Sequence, residues 1–160
     1  MIRLKKVTDY GIVILTLFAR DPNRQWHNAA DIAKEVNLPL PIVSKILKQL
    51  AHGALLNSQR GAKGGYHLAQ KPEEISVTEM IRVLDGQFAI TQCNDNSSIE
   101  CMIVTQCPVR TNWGIINSVV IEALNKISLA DLAKPSNEFR SVQQKYFIAN
   151  IQTKQELSHT

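Results

Sequence analysis

Long apolar runs, paired cysteines and central acidic residues are all scarce in this 160-residue chain, and each scarcity excludes something. The longest apolar stretches, Tyr10 to Ala19 and Ile115 to Ile121, are interrupted by polar residues and are too short to cross a bilayer. Arg3, Lys5 and Lys6 lead into an amphipathic segment carrying Asp9, with no small-residue cleavage site, so no signal peptide is expected and a cytoplasmic protein is the default. Three cysteines cannot make an even disulfide framework, and no C-x2-C pair of the zinc-finger kind is present. The histidines, at 27, 52, 67 and 159, are too dispersed to pair a nucleophile with a base, so an enzyme is not expected. What is present is ordinary globular material: 44% hydrophobic and 20% charged residues, enough apolar content to fold around a core.

The charge is unevenly placed. The net charge is +4, and between Val36 and Pro72 there is no acid, while Lys45, Lys48, Arg60, Lys63 and Lys71 fall there beside His52 and His67. A local cationic surface suits a polyanion, although a solvated face without a partner has the same charge pattern.

The patterning predicts a first helix from Thr8 to Ala19, with Ile12, Leu15 and Ala19 at helical spacing, Val13, Ile14 and Leu17 widening the stripe, and Thr8 or Asp9 as cap. Asp21-Pro22-Asn23 ends it. A second helix starts near Asn28 and stops at Asn37-Leu38-Pro39; a third runs from Pro41 to about His52, ended by Gly53. Two short helices joined by a tight turn, the second basic outside, follow the helix-turn-helix plan. Leu55 to Arg60 and Tyr66 to Ala69 then read as a hairpin around Gly61-Ala62-Lys63-Gly64-Gly65. That glycine segment leads into a strand-like run, not a helix, so it is no phosphate-binding P-loop. A two-stranded wing there can reach phosphates or the minor groove through Arg60 and Lys63. In the third helix, Ser44, Lys45 and Lys48 are the candidate DNA contacts, Ser44 for base reading and the lysines for phosphate.

Ser76-Val77-Thr78-Glu79 predicts a capping box opening a helix that stops at Asp85-Gly86. A polar loop follows, and from Pro108 to about Ile127 the pattern turns helical, with a broad apolar face that suits either a dimer interface or packing onto its own domain. The expected fold is mainly α with a small β-hairpin. It comprises a winged helix-turn-helix domain over 1–86, a cysteine loop over 87–107, a long dimerisation helix over 108–133 and a polar tail over 134–160 whose only packing residues are Tyr146, Phe147 and Ile148.

Cys93, Cys101 and Cys107 make C-x7-C-x5-C within that loop. Clustered thiolates suit an iron-sulfur cluster, zinc or copper(I), and free redox-active thiols remain the alternative.

Met1-Ile2-Arg3-Leu4 with Thr8-Asp9-Tyr10, the helix entry Leu38-Pro39-Leu40-Pro41-Ile42-Val43-Ser44-Lys45, the wing Arg60-Gly61-Ala62-Lys63-Gly64-Gly65-Tyr66 and the three-cysteine loop before a long helix resemble the IscR and NsrR family of winged-helix transcription regulators, over residues 1 to about 133. The wing and Cys107-Pro108-Val109-Arg110 look most like regulators of iron-sulfur cluster assembly by the SUF system. The resemblance implies a homodimer with crossing long helices, in which an iron-sulfur cluster on the three cysteines, 2Fe-2S in preference to 4Fe-4S, controls which double-stranded DNA is bound. The IscR branch has a histidine three positions after the last cysteine as fourth ligand; here Arg110 stands there, and a guanidinium has no lone pair to give. The NsrR branch uses an aspartate near the N-terminus, reaching in from the partner subunit, which implies Asp9, with Asp95 or Glu100 as second choices and a plain helix cap as the alternative role of Asp9. A nitric-oxide or thiol-redox sensor and a zinc-dependent repressor of the same fold are the competing readings.

Overall fold

The computed structural model describes residues 4–21, 26–61, 64–94, 101–103, 105–135 and 138. Lys63, Asp95, Glu100 and the apolar trio Tyr146, Phe147 and Ile148 lie outside them. The elements are α1 (Lys6–Arg20), α2 (Ala29–Glu35), α3 (Leu40–His52), β1 (Leu56–Gln59), β2 (Gly65–Leu68), α4 (Val77–Asp85), α5 (Arg110–Asn125) and α6 (Leu129–Ala133).

Helix α1 starts earlier than its apolar pattern. Lys5 occupies the N-cap without a side-chain cap bond, so neither Thr8 nor Asp9 caps the helix. Thr8 is buried, and its Oγ1 donates to Asp85 Oδ2 at 3.3 Å, across 77 residues of sequence. Lys5 pairs with the same carboxylate. Burial raises the Asp85 carboxyl, but the Lys5 ammonium and backbone and the Thr8 hydroxyl outweigh it and hold the group below its ordinary value. The start of α1 is thereby fastened to the end of α4. The inward stripe is Ile14, Leu15 and Phe18; Val13, which the pattern places in the stripe, faces outward.

Four helices and the hairpin share one core. Ile32 and Ala33 of α2, Val43, Ile46, Leu47 and Leu50 of α3, Leu55 and Leu56 at the start of the hairpin, Ile75, and Val77, Met80, Ile81 and Leu84 of α4 all bury against the α1 stripe. Burying each large aliphatic side chain contributes roughly 1.5–3 kcal/mol. Asn28 caps α2, accepting from Asp31 N–H at 2.8 Å, and the turn into α3 places Asn37 at φ 53°, a left-handed conformation that asparagine tolerates better than most residues. Ser76 caps α4 as its spacing predicts, its Oγ accepting from Glu79 N–H at 3.2 Å. The reciprocal half of the box gives way to a different pairing, since the Glu79 carboxylate turns to Arg82 at 3.7 Å.

The segment 108–133 holds two helices where one was expected. Helix α5 ends at Asn125, and Ser128 opens α6 with a capping box: its Oγ accepts from Asp131 N–H at 3.1 Å while Asp131 Oδ2 accepts from Ser128 N–H at 3.2 Å. Val77 N–H to Ile127 O at 2.9 Å and Leu129 N–H to Ile75 O at 2.8 Å stitch this turn onto the entry to α4, and Leu129 enters the core. The chain therefore rejoins the core through Leu124 at the end of α5, Ile127 and Leu129 of α6, while the outer face of α5 stays outside it.

Candidate nucleic-acid interface and cysteine loop

Helix α3 is held so that one face is committed and the other is free. Its buried stripe of Val43, Ile46, Leu47 and Leu50 locks it inward, and Gln49 Nε2 donates to both Val83 O and Leu84 O at 3.0 Å, satisfying carbonyls that the last turn of α4 leaves open. Lys45, Lys48 and His52 are exposed on the opposite face and Ser44 is half-buried at its flank. Neither lysine forms an ion pair with a carboxylate among the described residues. A helix-turn-helix whose second helix presents uncompensated cations meets a phosphate backbone without first breaking an internal contact.

The hairpin pairs Leu56 with Leu68, Asn57 with His67, Ser58 with Tyr66 and Gln59 with Gly65. Its position is set by a contact absent from the hairpin pattern. His27 N–H donates to Tyr66 O and Tyr66 N–H to His27 O, both at 2.9 Å, so the lead into α2 is joined to β2 by one antiparallel bridge. The Trp26 ring meets His67 edge-on at 4.4 Å at the same place. The glycines are required by close backbone approach: a Cβ on Gly64 would sit 2.2 Å from Gln59 O, and one on Gly65 2.6 Å from His27 O. Asn57, Ser58, Gln59 and Arg60 are exposed along the outer strand, and Arg60 forms no ion pair with a described carboxylate.

The cysteine loop is moored to α5. Asn117 is the one buried residue of α5, and its Oδ1 accepts from Ile90 N–H at 3.0 Å. The short 3-10 turn Gln92–Asn94 packs on the same helix and carries Cys93. Cys93 Sγ lies 3.2 Å from Thr91 Oγ1, and Asn94 Nδ2 donates to that hydroxyl at 2.7 Å. The sequence signal of Asn117 is faint, an amide beside Ser118 inside an otherwise apolar helical run.

Cys93, Cys101 and Cys107 are free and half-buried, and Asp9 stands exposed in the first turn of α1. Three partly shielded thiols are the soft donors that an iron-sulfur cluster takes, so the donor set fits in kind. The structure does not gather them: among the described residues, no three of His, Cys, Asp and Glu lie together as a metal-holding group. Nor is any described helix long and apolar enough to cross a membrane.

The other face of α5 is apolar and open. Ile115 and Val119 are about 60% exposed (61% and 60%), with Trp113 and Ile116 beside them. Single exposed aliphatics are unremarkable on a soluble protein, but a contiguous apolar face on one helix marks an interaction surface.

Residues 4–135 match the Rrf2 family model, described as an iron-dependent transcriptional regulator. The HTH-type transcriptional regulator NsrR of Oceanobacillus iheyensis is 28% identical over 138 residues, spanning 84% of this chain and 92% of that protein. The HTH-type transcriptional regulator IscR of Aliivibrio salmonicida is 32% identical over 103 residues, 64% of this chain and 60% of the other. Among solved structures, that of CymR, described as the global cysteine regulator of B. subtilis, aligns with a TM-score of 0.66 at 28% identity, covering 83% of this chain and 97% of that one.

Proposed function

This chain belongs to the Rrf2 family of iron-dependent transcriptional regulators, and from that premise we propose that it acts as a DNA-binding homodimer whose operator binding is controlled by an iron-sulfur cluster, in the service of cluster-assembly genes. The observation that carries the reading is the outward face of α3, where Lys45 and Lys48 project without a described carboxylate partner while the opposite face is locked into the core. Ser44 reads a base edge, Lys45 and Lys48 neutralise phosphates, and Arg60 with Lys63 carries the wing onto the adjoining backbone.

The homodimer rests on Trp113, Ile115, Ile116 and Val119, an apolar stripe that a second copy of α5 covers by two-fold symmetry. In this organisation 1–86 binds DNA, 87–107 senses and 108–133 joins the copies. Cys93, Cys101 and Cys107 hold the cluster, with Asp9 of the second copy as fourth ligand and Asp95 or Glu100 as substitutes, and 2Fe-2S is favoured over 4Fe-4S. A bound cluster supplies iron sites whose oxidation and loss follow oxidant and iron supply. Asn117 couples loop to interface, because the helix that anchors Ile90 through its inner face carries the dimer stripe on its outer one.

Protein purified without oxygen is expected to be coloured and to contain iron and sulfide, with both lost in Cys101→Ser; Asp9→Ala is expected to shift the visible bands or weaken retention. A second reading, a regulator that senses thiol oxidation or nitric oxide, is favoured by three free, half-buried thiols that belong to no metal-holding group of three among the described residues. It predicts a colourless protein without iron, three titratable thiols and an intact DNA response, and the same preparation decides between them. Zinc in place of iron and sulfide would identify a zinc-dependent repressor.

A further inference from the structure

The described residues from 26 to 94 contain the helix-turn-helix, the wing and α4, and their large hydrophobic side chains are all buried or half-buried except two: Leu40, 46% exposed, and Ile42, 38% exposed. Both stand in the first turn of α3, with exposed Pro41 between them. The other exposed large hydrophobics lie just before or on α1, on the cysteine loop and on α5 and its approach.

An apolar tip at this place is unexpected if the helix only met phosphates, because every other exposed side chain on its outer face is polar or cationic. Pro41 lies one turn before Lys45, on the same side as Lys45 and Lys48, so the tip and the cations approach one ligand together. In a helix-turn-helix the N-terminal residues of the second helix are the ones that meet base edges. The major groove offers one apolar group on a base edge, the C5 methyl of thymine, which a side chain contacts by excluding water and not by a hydrogen bond.

We propose that Leu40, Pro41 and Ile42 are specificity-determining residues that read thymine methyl groups in the major groove, alongside the lysines that neutralise phosphates. This rests on the DNA-binding reading above and adds to it the chemical class of base selected. Burying one methyl removes apolar surface worth about a four-fold change in affinity, so each half-site contains one or two positions where the methyl counts by about that factor. Thymine there is then preferred over every base lacking a C5 methyl, and 5-methylcytosine recovers part of the preference.

The test uses the full-length protein and duplexes enriched by it from a randomised library. Copies of an enriched duplex are made with deoxyuridine replacing thymidine at one position at a time, which deletes the methyl and keeps the pairing. The expected result is a loss of about four-fold at one or two positions per half-site, abolished in Leu40→Ser/Ile42→Ser, while Lys48→Ala weakens binding to thymine and uracil duplexes alike. Equal affinity for thymine and uracil at every position overturns the proposal and leaves DNA binding intact, as does a uracil penalty that persists unchanged in the double variant. Failure of the wild-type protein to enrich any duplex overturns the DNA-binding reading itself, and this proposal with it.

Discussion

The two halves of the molecule invert one another. From Ile14 to Leu84 the apolar residues turn inward and form one core to which all of α1 to α4 contribute, and what remains outside is largely polar. In α5 the one buried residue is an asparagine, while Trp113, Ile115, Ile116 and Val119 face out. The first half completes its packing within one chain. The second leaves an apolar side exposed, which the proposed homodimer covers, and its buried amide accepts from the backbone of the cysteine loop. On the proposed function, the cysteine loop lies between the DNA-binding domain and the interface helix, and α5 is tied to both: Asn117 accepts from Ile90 N–H, and the turn after α5 is hydrogen-bonded to the entry of α4.

This contrast can be broken from either side. Leu47→Ala opens a cavity in a core with no exposed face and is expected to cost about 2–5 kcal/mol, read as a fall in thermal or urea midpoint, with DNA binding lost through unfolding. Ile116→Glu/Val119→Glu is expected instead to leave the spectroscopic signature of the fold while sedimentation shows a monomer and operator affinity collapses; a variant that stays dimeric removes α5 from the interface. Asn117→Ala leaves Ile90 N–H without its acceptor and is expected to cost about 1–3 kcal/mol, with the clearest signal in faster alkylation of Cys93.

The smallest effect concerns acid. Because Asp85 is held below its ordinary value, its link between α1 and α4 contributes fully above the unfolded carboxylate value of about 3.9 and is lost as pH falls through the folded one. Melting temperatures of wild type and Asp85→Asn are therefore expected to differ at pH 6 and to converge below pH 4. A gap that widens on acidification contradicts the assignment.

Much of the first half was legible because its determinants are local. The start of α2 near Asn28, the third helix and the hairpin after it, and the Ser76 cap are all written in spacing a few residues long, and the structure places each close to where the pattern does. The start of α1 was not legible, since Thr8 is engaged by Asp85, a partner 77 positions away. The same holds for the His27 contact that sets the wing. The break between α5 and α6 is different: Ser128 and Asp131 spell a capping box, but the apolar pattern running through Ile127 to Leu129 conceals it. At the candidate site, the exposure of Lys45, Lys48 and Arg60 agrees with the charge reading, whereas the three cysteines, close in sequence, belong to no metal-holding group of three among the described residues.

The most direct test of the account is the affinity of enriched duplexes for the protein with and without the proposed iron-sulfur cluster, measured at one fixed salt concentration. Control of DNA binding by the cysteine loop predicts a difference in the range typical of coupling between sites, about 5- to 150-fold. Equal affinities for every duplex tested would contradict it.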